Sequence, residues 1–220
     1  MKHLTLILLL SMTVACAPTK MSMNANLNEP SAQFFFETPA VDIPFKDGVI
    51  VFDQDVNEES VKGFHKTLKD VLNDKPKNVL VRIQSPGGSV FAGFDMARDI
   101  EESNVPVICV VDQYAASMAF YILQACDVRV MTDRSIIMGH QVATSSQGQL
   151  NRHLSTISEL IALDSAMAHF ITAKSKMTYD EYQKAIAGGM ELWMDVGAAK
   201  KNGFIDFSVA NMDEARLLTK

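Results

Sequence analysis

Two side chains in this sequence are suited to nucleophilic chemistry, those of Ser117 and His140. Ser117 lies among small residues, after Ala115-Ala116, where an apolar strand gives way to a predicted helix. A serine on such a turn exposes its hydroxyl, and the N–H of Met118 lies in the first helical turn, where it lacks an intrahelical partner and can donate to an anion. The alternative is that Ser117 only caps the helix. Ser117 is therefore either a nucleophile or a helix cap.

Polar or glycine-rich groups follow three of the predicted strands. Ser85-Pro86-Gly87-Gly88-Ser89 follows one strand, Ser117 a second and His140 a third, so all three should meet at the carboxyl edge of a parallel sheet, where open α/β sheets place their sites. Acyl transfer needs a nucleophile, a base and two N–H donors for the oxyanion. Gly88 and Met118 could provide these donors. The alternatives are that Pro-Gly-Gly is only a turn and that His140 is a core histidine.

The composition is that of a soluble domain. The chain has 220 residues, of which 48% are hydrophobic and 21% are charged, and its formal net charge is −6. It contains no block of Lys and Arg, which argues against a nucleic-acid partner because phosphates need a basic patch. No CxxC pair or histidine cluster suggests a metal, and no cofactor is expected.

The N-terminus predicts export. Residues 1–15 have the pattern of a signal peptide, and their apolar run of eleven residues is shorter than the roughly 20 that a membrane helix needs. Thr13-Val14-Ala15-Cys16 resembles the bacterial lipobox, which predicts lipid on Cys16; the alternative is ordinary cleavage near Ala15 or Ala17. We therefore expect a lipoprotein on the periplasm-facing surface of a membrane, with a lipidated N-terminus and flexible tether over 16–40, a domain over 41–212 and a C-terminal tail over 213–220.

The domain alternates apolar strands with amphipathic helices, which predicts an α/β fold with a parallel sheet. The pattern predicts strands at 49–52, 79–83, 105–111, 128–131, 136–140 and 204–209, and helices from Asn57, at 91–103, 118–125, 149–176 and 179–187, and after Asp195. Cys109 and Cys126 lie in apolar runs and are predicted to be buried thiols rather than a disulfide. The 149–176 helix presents more apolar surface than one sheet face needs, so we expect it to contact other subunits.

From about Val49 to Val209 the chain resembles the proteolytic subunits of the Clp protease family, serine peptidases within the wider Clp/crotonase fold. The matching segments are Ser85-Pro86-Gly87-Gly88-Ser89-Val90, Ala115-Ala116-Ser117-Met118, His140-Gln141, Gln147-Gly148-Gln149 and Gly203-Phe204-Ile205-Asp206. The resemblance implies a spiral of ββα units with a protruding handle helix that joins subunits into a homo-oligomeric ring.

The resemblance also implies the site residues. Ser117 would be the nucleophile and His140 the general base, while Gly88 and Met118 would form the oxyanion hole. The third catalytic residue of the family is usually an aspartate about fifteen positions before the last aspartate of the closing motif. Counting back from Asp206 reaches Glu191, which would orient the imidazole, and Asp195 is a second candidate that could instead be a helix N-cap. The family's proline after His-Gln is Val142 here, and Gly139 precedes the histidine.

These features predict an ATP-independent serine peptidase that is tethered to a bacterial membrane and cleaves short or unfolded peptides. An exported protein has no ATP-dependent unfoldase beside it, so no Clp ATPase is expected as a partner. The main alternative is a catalytically inactive scaffold or binding lipoprotein with the same fold. A serine–lysine peptidase similar to signal peptide peptidase A is a further alternative, although His140 argues against it. A crotonase-type acyl-CoA enzyme fits less well, because it would not use a Ser/His pair.

Overall fold

A computed structural model of the protein describes residues 40–219. The predicted signal peptide, Cys16 and the tether up to residue 39 lie outside the described residues. The strands are β1 (Phe45–Lys46), β2 (Val49–Phe52), β3 (Val79–Ser85), β4 (Val107–Ala116), β5 (Val128–Thr132), β6 (Ile136–Gly139), β7 (Leu192–Asp195) and β8 (Phe207–Val209). The helices are α1 (Glu58–Asn73), α2 (Val90–Glu101), α3 (Met118–Ala125), α4 (Leu150–Ala173), α5 (Tyr179–Ile186), α6 (Val196–Lys201) and α7 (Met212–Ala215), with 3₁₀ turns at Ala187–Gly189 and Arg216–Thr219.

The strands form one sheet in the order β1-β2-β3-β4-β5-β8, and β6 and β7 extend it from the distal half of β4. Pairing is parallel from β2 to β8 and between β4 and β6, while β1 and β7 run antiparallel to their neighbours. The helices connect the parallel strands, as crossovers in such sheets must. The predicted α/β fold with a largely parallel sheet and a long helix is confirmed.

Strand β4 is longer than its apolar run predicts. The apolar residues stop at Val111, but pairing continues to Ala116 because the distal half of β4 has its own neighbours. Polar Asp112 is accommodated on the strand because Arg82 of β3 donates to its carboxylate at 2.9 Å. The proximal half of β4 pairs with β5 and the distal half with β6. Because the distal half of β4 pairs with β6, Ser117, the residue after Ala116, lies at the end of β6.

The helices bury the faces that their periodicity predicts, with one exception. Asn57 caps α1 in a reciprocal capping box with Ser60, and the predicted apolar face of that helix is buried. On α2, Ala97 and Ile100 are buried as expected. Phe91 of the same helix is instead 61% exposed. It lies in the first turn of α2, and its position nine residues before Ile100 places it on about the opposite side of the helix from that buried side chain.

Cys109 and Cys126 form a disulfide, so the prediction of two buried free thiols is wrong. The turn from β4 into α3 places their Cα atoms 6.0 Å apart, within the range of a disulfide. The spacing of the two cysteines along the chain does not reveal this distance. The bond joins the core of β4 to the residue that ends α3, and the loop that it closes contains Ser117. In the chain-entropy account, a loop of this length stabilises the fold by about 3 kcal/mol.

A buried arginine joins β5 to the C-terminal segment. The guanidinium of Arg129 is 7% exposed and donates to both carboxylate oxygens of Asp206, at 2.7 and 3.2 Å. Although burial alone would raise the pKa of Asp206, hydrogen bonds and charge from Arg129 hold it below its ordinary value. The folded-state pKa is therefore lower than the unfolded one. The stabilisation is present above the unfolded pKa, near 4, and is lost as the pH falls through the folded value.

We expect Asp206→Asn to lower the free energy of unfolding by about 3 kcal/mol at neutral pH, because it leaves the charge of Arg129 buried and unpaired. Asp206 is itself 38% exposed, which places the effect at the low end for such pairs. The difference between wild type and variant should shrink below about pH 4. Urea denaturation at pH 7 and pH 3.5 measures it. Asp213→Asn is the matched control, because Asp213 is 89% exposed in its pair with Arg216 and should matter little. An equal loss at both pH values would contradict the expected linkage.

Helix α4 carries a stripe of exposed apolar side chains along one face. The stripe consists of Leu150, Leu154, Ile157 and Ile161, which are 53% to 72% exposed. On length and composition alone, α4 could also cross a membrane. This exposed apolar surface is nevertheless on one side, because Arg152 and Glu159 lie on the opposite side of the helix. One-sided apolar surface is typical of a protein–protein contact rather than of a lipid-exposed helix.

Candidate active site

Strands β4 and β6 bring Ser117 and His140 together. Ala116 lies in register with Met138, and the N–H of Ser117 donates to the Met138 carbonyl at 2.8 Å, which extends the ladder to the turn. His140 follows β6 by one residue. Its Nε2 lies 2.8 Å from the Oγ of Ser117. The predicted nucleophile and the predicted base are therefore in hydrogen-bond contact within one subunit.

Ser117 has a backbone conformation that a simple cap would not need. Its φ and ψ angles are 55° and −122°, a region that side-chain-bearing residues rarely occupy. Ser117 stands at the N-cap position of α3, but its hydroxyl makes no capping hydrogen bond. The hydroxyl is directed to His140 instead. A sharp strand-to-helix turn of this kind exposes the nucleophilic serine in α/β-hydrolases.

The second ring nitrogen of His140 contacts the backbone carbonyl of Gln141. A carbonyl oxygen only accepts, so Nδ1 carries the hydrogen and donates to it. Nε2 is then the unprotonated nitrogen and accepts from the Ser117 hydroxyl. This tautomer is the one that a general base requires. The orienting acceptor in the described chain is thus a peptide carbonyl.

The structure brings neither Glu191 nor Asp195 to His140. Leu192 of β7 pairs with Gly139, so the backbone of Glu191 comes near His140, but its exposed carboxylate accepts from the indole N–H of Trp193 at 2.9 Å. Asp195 pairs with Ile136 at the other end of β6, about 13 Å away along the strand. Its carboxylate caps α6 by accepting from the Ala198 N–H at 2.8 Å. In this structure the group on Nδ1 of His140 is the Gln141 carbonyl, and the predictions of Glu191 or Asp195 as the acid stay predictions.

A carboxylate does hold the backbone that follows His140, although no sequence pattern indicates it. Asp164 of α4 accepts from the Val142 N–H at 3.1 Å and from the Gln183 side chain of α5 at 3.1 Å. Asp164 therefore fixes the segment next to the orienting carbonyl. In the sequence, Asp164 looks like any solvent-facing acid on a long helix. Only the tertiary fold places it beside Val142.

The two residues predicted to provide oxyanion donors, Gly88 and Met118, line the same cavity as Ser117. Gly87 packs directly on the Ser117 turn, since a Cβ on Gly87 would lie 2.7 Å from the Met118 nitrogen. Gly88 bridges to Val56, and a Cβ there would lie 2.2 Å from the Val56 carbonyl oxygen. Within residues 40–219, the N–H groups of Gly88 and Met118 donate to no backbone acceptor outside the regular elements. Both are available for an oxyanion.

A cavity of about 170 Å³ adjoins the serine–histidine pair. It is lined by Gly88, Val90, Ser117, Met118, Gly139, His140, Gln141, Val142, Ala143, Met167, Ile171 and Tyr182. A neighbouring cleft of about 430 Å³ shares Gly88 and Val142 with it and extends between the start of α2 and the face of α4. Phe91 lines this cleft, which accounts for its exposure. The two spaces adjoin at Gly88, Val90, Val142 and Ala143, which line both, and we refer to them together as the groove.

Comparisons with known proteins agree with this geometry. Residues 40–212 match the family model described as Clp protease. The chain is 27% identical over 169 residues to the ATP-dependent Clp protease proteolytic subunit of Pleurastrum terricola, with 76% of this chain and 85% of that protein covered. It is 31% identical over 166 residues to the ATP-dependent Clp protease proteolytic subunit 1 of Chlamydia pneumoniae, with 71% and 84% covered. The chain therefore belongs to the Clp protease family.

Proposed function

We propose that this protein is a serine peptidase that hydrolyses short or unfolded peptides with Ser117 as the nucleophile. The observation that carries the proposal is the 2.8 Å contact between Ser117 Oγ and His140 Nε2 at a turn where Ser117 has positive φ. The family supports it, because the similar proteins are proteolytic subunits. Peptides would bind as extended strands in the groove, since a strand can add to exposed backbone beside Gly88.

The chemistry proceeds in two steps. The Ser117 oxygen attacks the peptide carbonyl while His140 Nε2 takes its proton, and the N–H groups of Gly88 and Met118 bind the oxyanion. The imidazolium then gives the proton to the leaving amine, and the amine departs from an acyl-enzyme on Ser117. Water hydrolyses this ester by the same steps, with His140 again as the base. The Gln141 carbonyl keeps Nδ1–H oriented throughout. A neutral carbonyl stabilises the imidazolium less than a carboxylate would, so we expect a modest turnover rate.

The test is covalent labelling of the detergent-solubilised full-length protein by a fluorophosphonate probe. We expect one adduct per chain, mapped to Ser117 by peptide mass spectrometry, together with hydrolysis of unstructured peptides without ATP. The second candidate function is a binding scaffold, which is favoured by the lack of a carboxylate on His140 among the described residues. A protein that binds peptides but takes up no probe in any oligomeric state would establish the scaffold instead.

The proposed location is the periplasm-facing surface of a bacterial membrane, with lipid on Cys16. The Cys109–Cys126 disulfide supports an exported location, because such bonds persist in oxidising compartments. The relatives are named as ATP-dependent, but an exported chain would work without an ATPase partner. Incorporation of radiolabelled fatty acid into wild type but not into Cys16→Ser would support the anchor, and equal labelling of both would contradict it.

We expect Glu191→Gln to retain peptidase activity within about threefold of wild type. The Glu191 carboxylate contacts Trp193 rather than His140, so removing its charge should not disturb the tautomer. The comparison uses kcat/KM for one unstructured peptide. Loss of about 10⁴-fold, the effect of removing the carboxylate from a serine–histidine–aspartate triad, would show that Glu191 turns to His140 in the working enzyme.

We also propose that the apolar stripe of α4 joins copies of this chain into a homo-oligomer. Leu154→Glu with Ile161→Glu should convert the assembly to monomers, because two charges cannot be buried unpaired at the contact. Sedimentation velocity measures the change. Ser155→Glu is the matched control, since Ser155 is exposed about 100° around the helix from Leu154. A monomeric wild type, or an assembly unaffected by both charges, would contradict the interface.

A further inference from the structure

Tyr182 of α5 has a buried hydroxyl without a partner. The side chain is 1% exposed and packs near Phe204 at a ring separation of 6.3 Å. Among the described residues, its Oη makes no hydrogen bond. A buried hydroxyl is normally satisfied, because removing it from water without replacement bonds is costly. The exception therefore points to a partner that arrives from outside the chain.

The Tyr182 hydroxyl lies beside the catalytic pair. Tyr182 lines the same 170 Å³ cavity as Ser117 and His140. Its Oη sits against Gly139, the residue before His140, because a Cβ at position 139 would lie 2.5 Å from that oxygen. Glycine at 139 is one of the departures from the family's pattern. The tertiary structure supplies its physical reason, which is the room that the Tyr182 hydroxyl needs.

Apart from Ser117, His140, Gln141 and Tyr182, the residues that line the cavity are apolar or glycine. Met118, Met167 and Ile171 contribute hydrophobic side chains, and none of its lining residues is lysine, arginine, aspartate or glutamate. Burial, together with the negative charge of nearby Asp164, raises the pKa of the Tyr182 phenol, so it remains a neutral donor at physiological pH. The cavity thus combines these apolar side chains with the hydroxyl of Tyr182, which is shielded from solvent beside Gly139. It adjoins Ser117, so it receives the side chain next to the carbonyl under attack.

We propose that Tyr182 is a specificity-determining residue whose hydroxyl donates a hydrogen bond to the substrate side chain that precedes the cleaved bond. The selected side chain is uncharged and ends in an acceptor, as the carboxamides of asparagine and glutamine do. An aliphatic side chain of the same shape would leave the hydroxyl unsatisfied. A carboxylate would have to shed its water without a cation to replace it, close to Asp164. This assignment rests on the proposed peptidase function.

The test measures kcat/KM for two matched pairs of peptides with the detergent-solubilised full-length protein. One pair carries Asn or Leu before the cleaved bond, and the other carries Gln or Met. We expect wild type to prefer the carboxamide in at least one pair by about five- to tenfold. Tyr182→Phe, which removes only the hydroxyl, should reduce that preference to below about twofold while cleavage of the aliphatic peptide is maintained.

Tyr179→Phe is the matched control on the same helix. The Tyr179 hydroxyl is directed to Ser165 at 3.4 Å, and the residue does not line the cavity, so its loss should leave the preference unchanged. Equal kcat/KM for both members of each pair in wild type would overturn the assignment while leaving the peptidase function standing. A preference for an aspartate peptide, or a carboxamide preference that survives in Tyr182→Phe, would also overturn it. If wild type cleaves none of the peptides and takes up no fluorophosphonate, the proposed function and this assignment fail together.

Discussion

The Ser117→Ala variant is expected to take up no fluorophosphonate and to lose peptidase activity by at least about 10³-fold. The Ser117 oxygen is the atom that forms the acyl-enzyme, and nothing else in the cavity can replace it. The residual rate should be the level that the oxyanion donors and substrate binding provide without a nucleophile. Intact-mass spectrometry after labelling and initial rates of peptide hydrolysis measure the two losses.

The chain offers a matched control for this variant. Ser146 Oγ lies 3.0 Å from Nδ1 of His153, so it forms a second serine–histidine contact. Ser146 lacks the positive φ of Ser117 and does not adjoin the free N–H of Met118. Ser146→Ala should therefore retain the label on Ser117. Undiminished labelling of Ser117→Ala, or loss of labelling in Ser146→Ala alone, would contradict the assignment of Ser117 as the nucleophile.

The His140→Ala variant should lose activity to nearly the same extent as Ser117→Ala. The two residues act as one unit, because the hydroxyl is a weak nucleophile unless Nε2 accepts its proton. The double variant should be little worse than either single one. Added imidazole should restore part of the hydrolysis in His140→Ala, since the deleted ring leaves space beside Ser117 for a free base. Steady-state rates with and without imidazole measure this rescue.

This variant also separates the histidine mechanism from a serine–lysine one. None of the residues that line the cavity is a lysine, so no alternative base contacts Ser117 there. His153→Ala, which alters the second serine–histidine contact, serves as the control for removing an imidazole elsewhere. Activity that persists in His140→Ala would contradict the proposed base and would favour the serine–lysine alternative.

Much of the site was predictable because its signals are local. The small residues around Ser117, the glycine pair at 87 and 88 and the histidine after a short strand each depend on a few neighbouring positions. Parallel strands then have to meet at one edge, which predicts that Ser117 and His140 come together. The measured contact of 2.8 Å agrees with that expectation. The α/β fold was predictable for the same reason, since strand and helix periods are properties of short segments.

The features that the sequence could not provide all depend on long-range packing. The β4–α3 turn brings Cys109 to Cys126, and the pairing of Leu192 with Gly139 places the Glu191 backbone near His140 while its side chain contacts Trp193. No periodicity encodes these outcomes, because they depend on which side chains face each other after the sheet is assembled.

The sequence by itself predicted the fold class and the meeting of Ser117 with His140, because these follow from residue type and strand order. Only the tertiary structure decided that the Gln141 carbonyl contacts Nδ1 of His140 and that the Tyr182 hydroxyl lies against Gly139, beside the Ser117–His140 pair. The physical reason is geometric. A hydrogen bond requires the donor–acceptor distance to be correct to within a few tenths of an ångström. That precision arises from the packing of distant segments rather than from their local patterns.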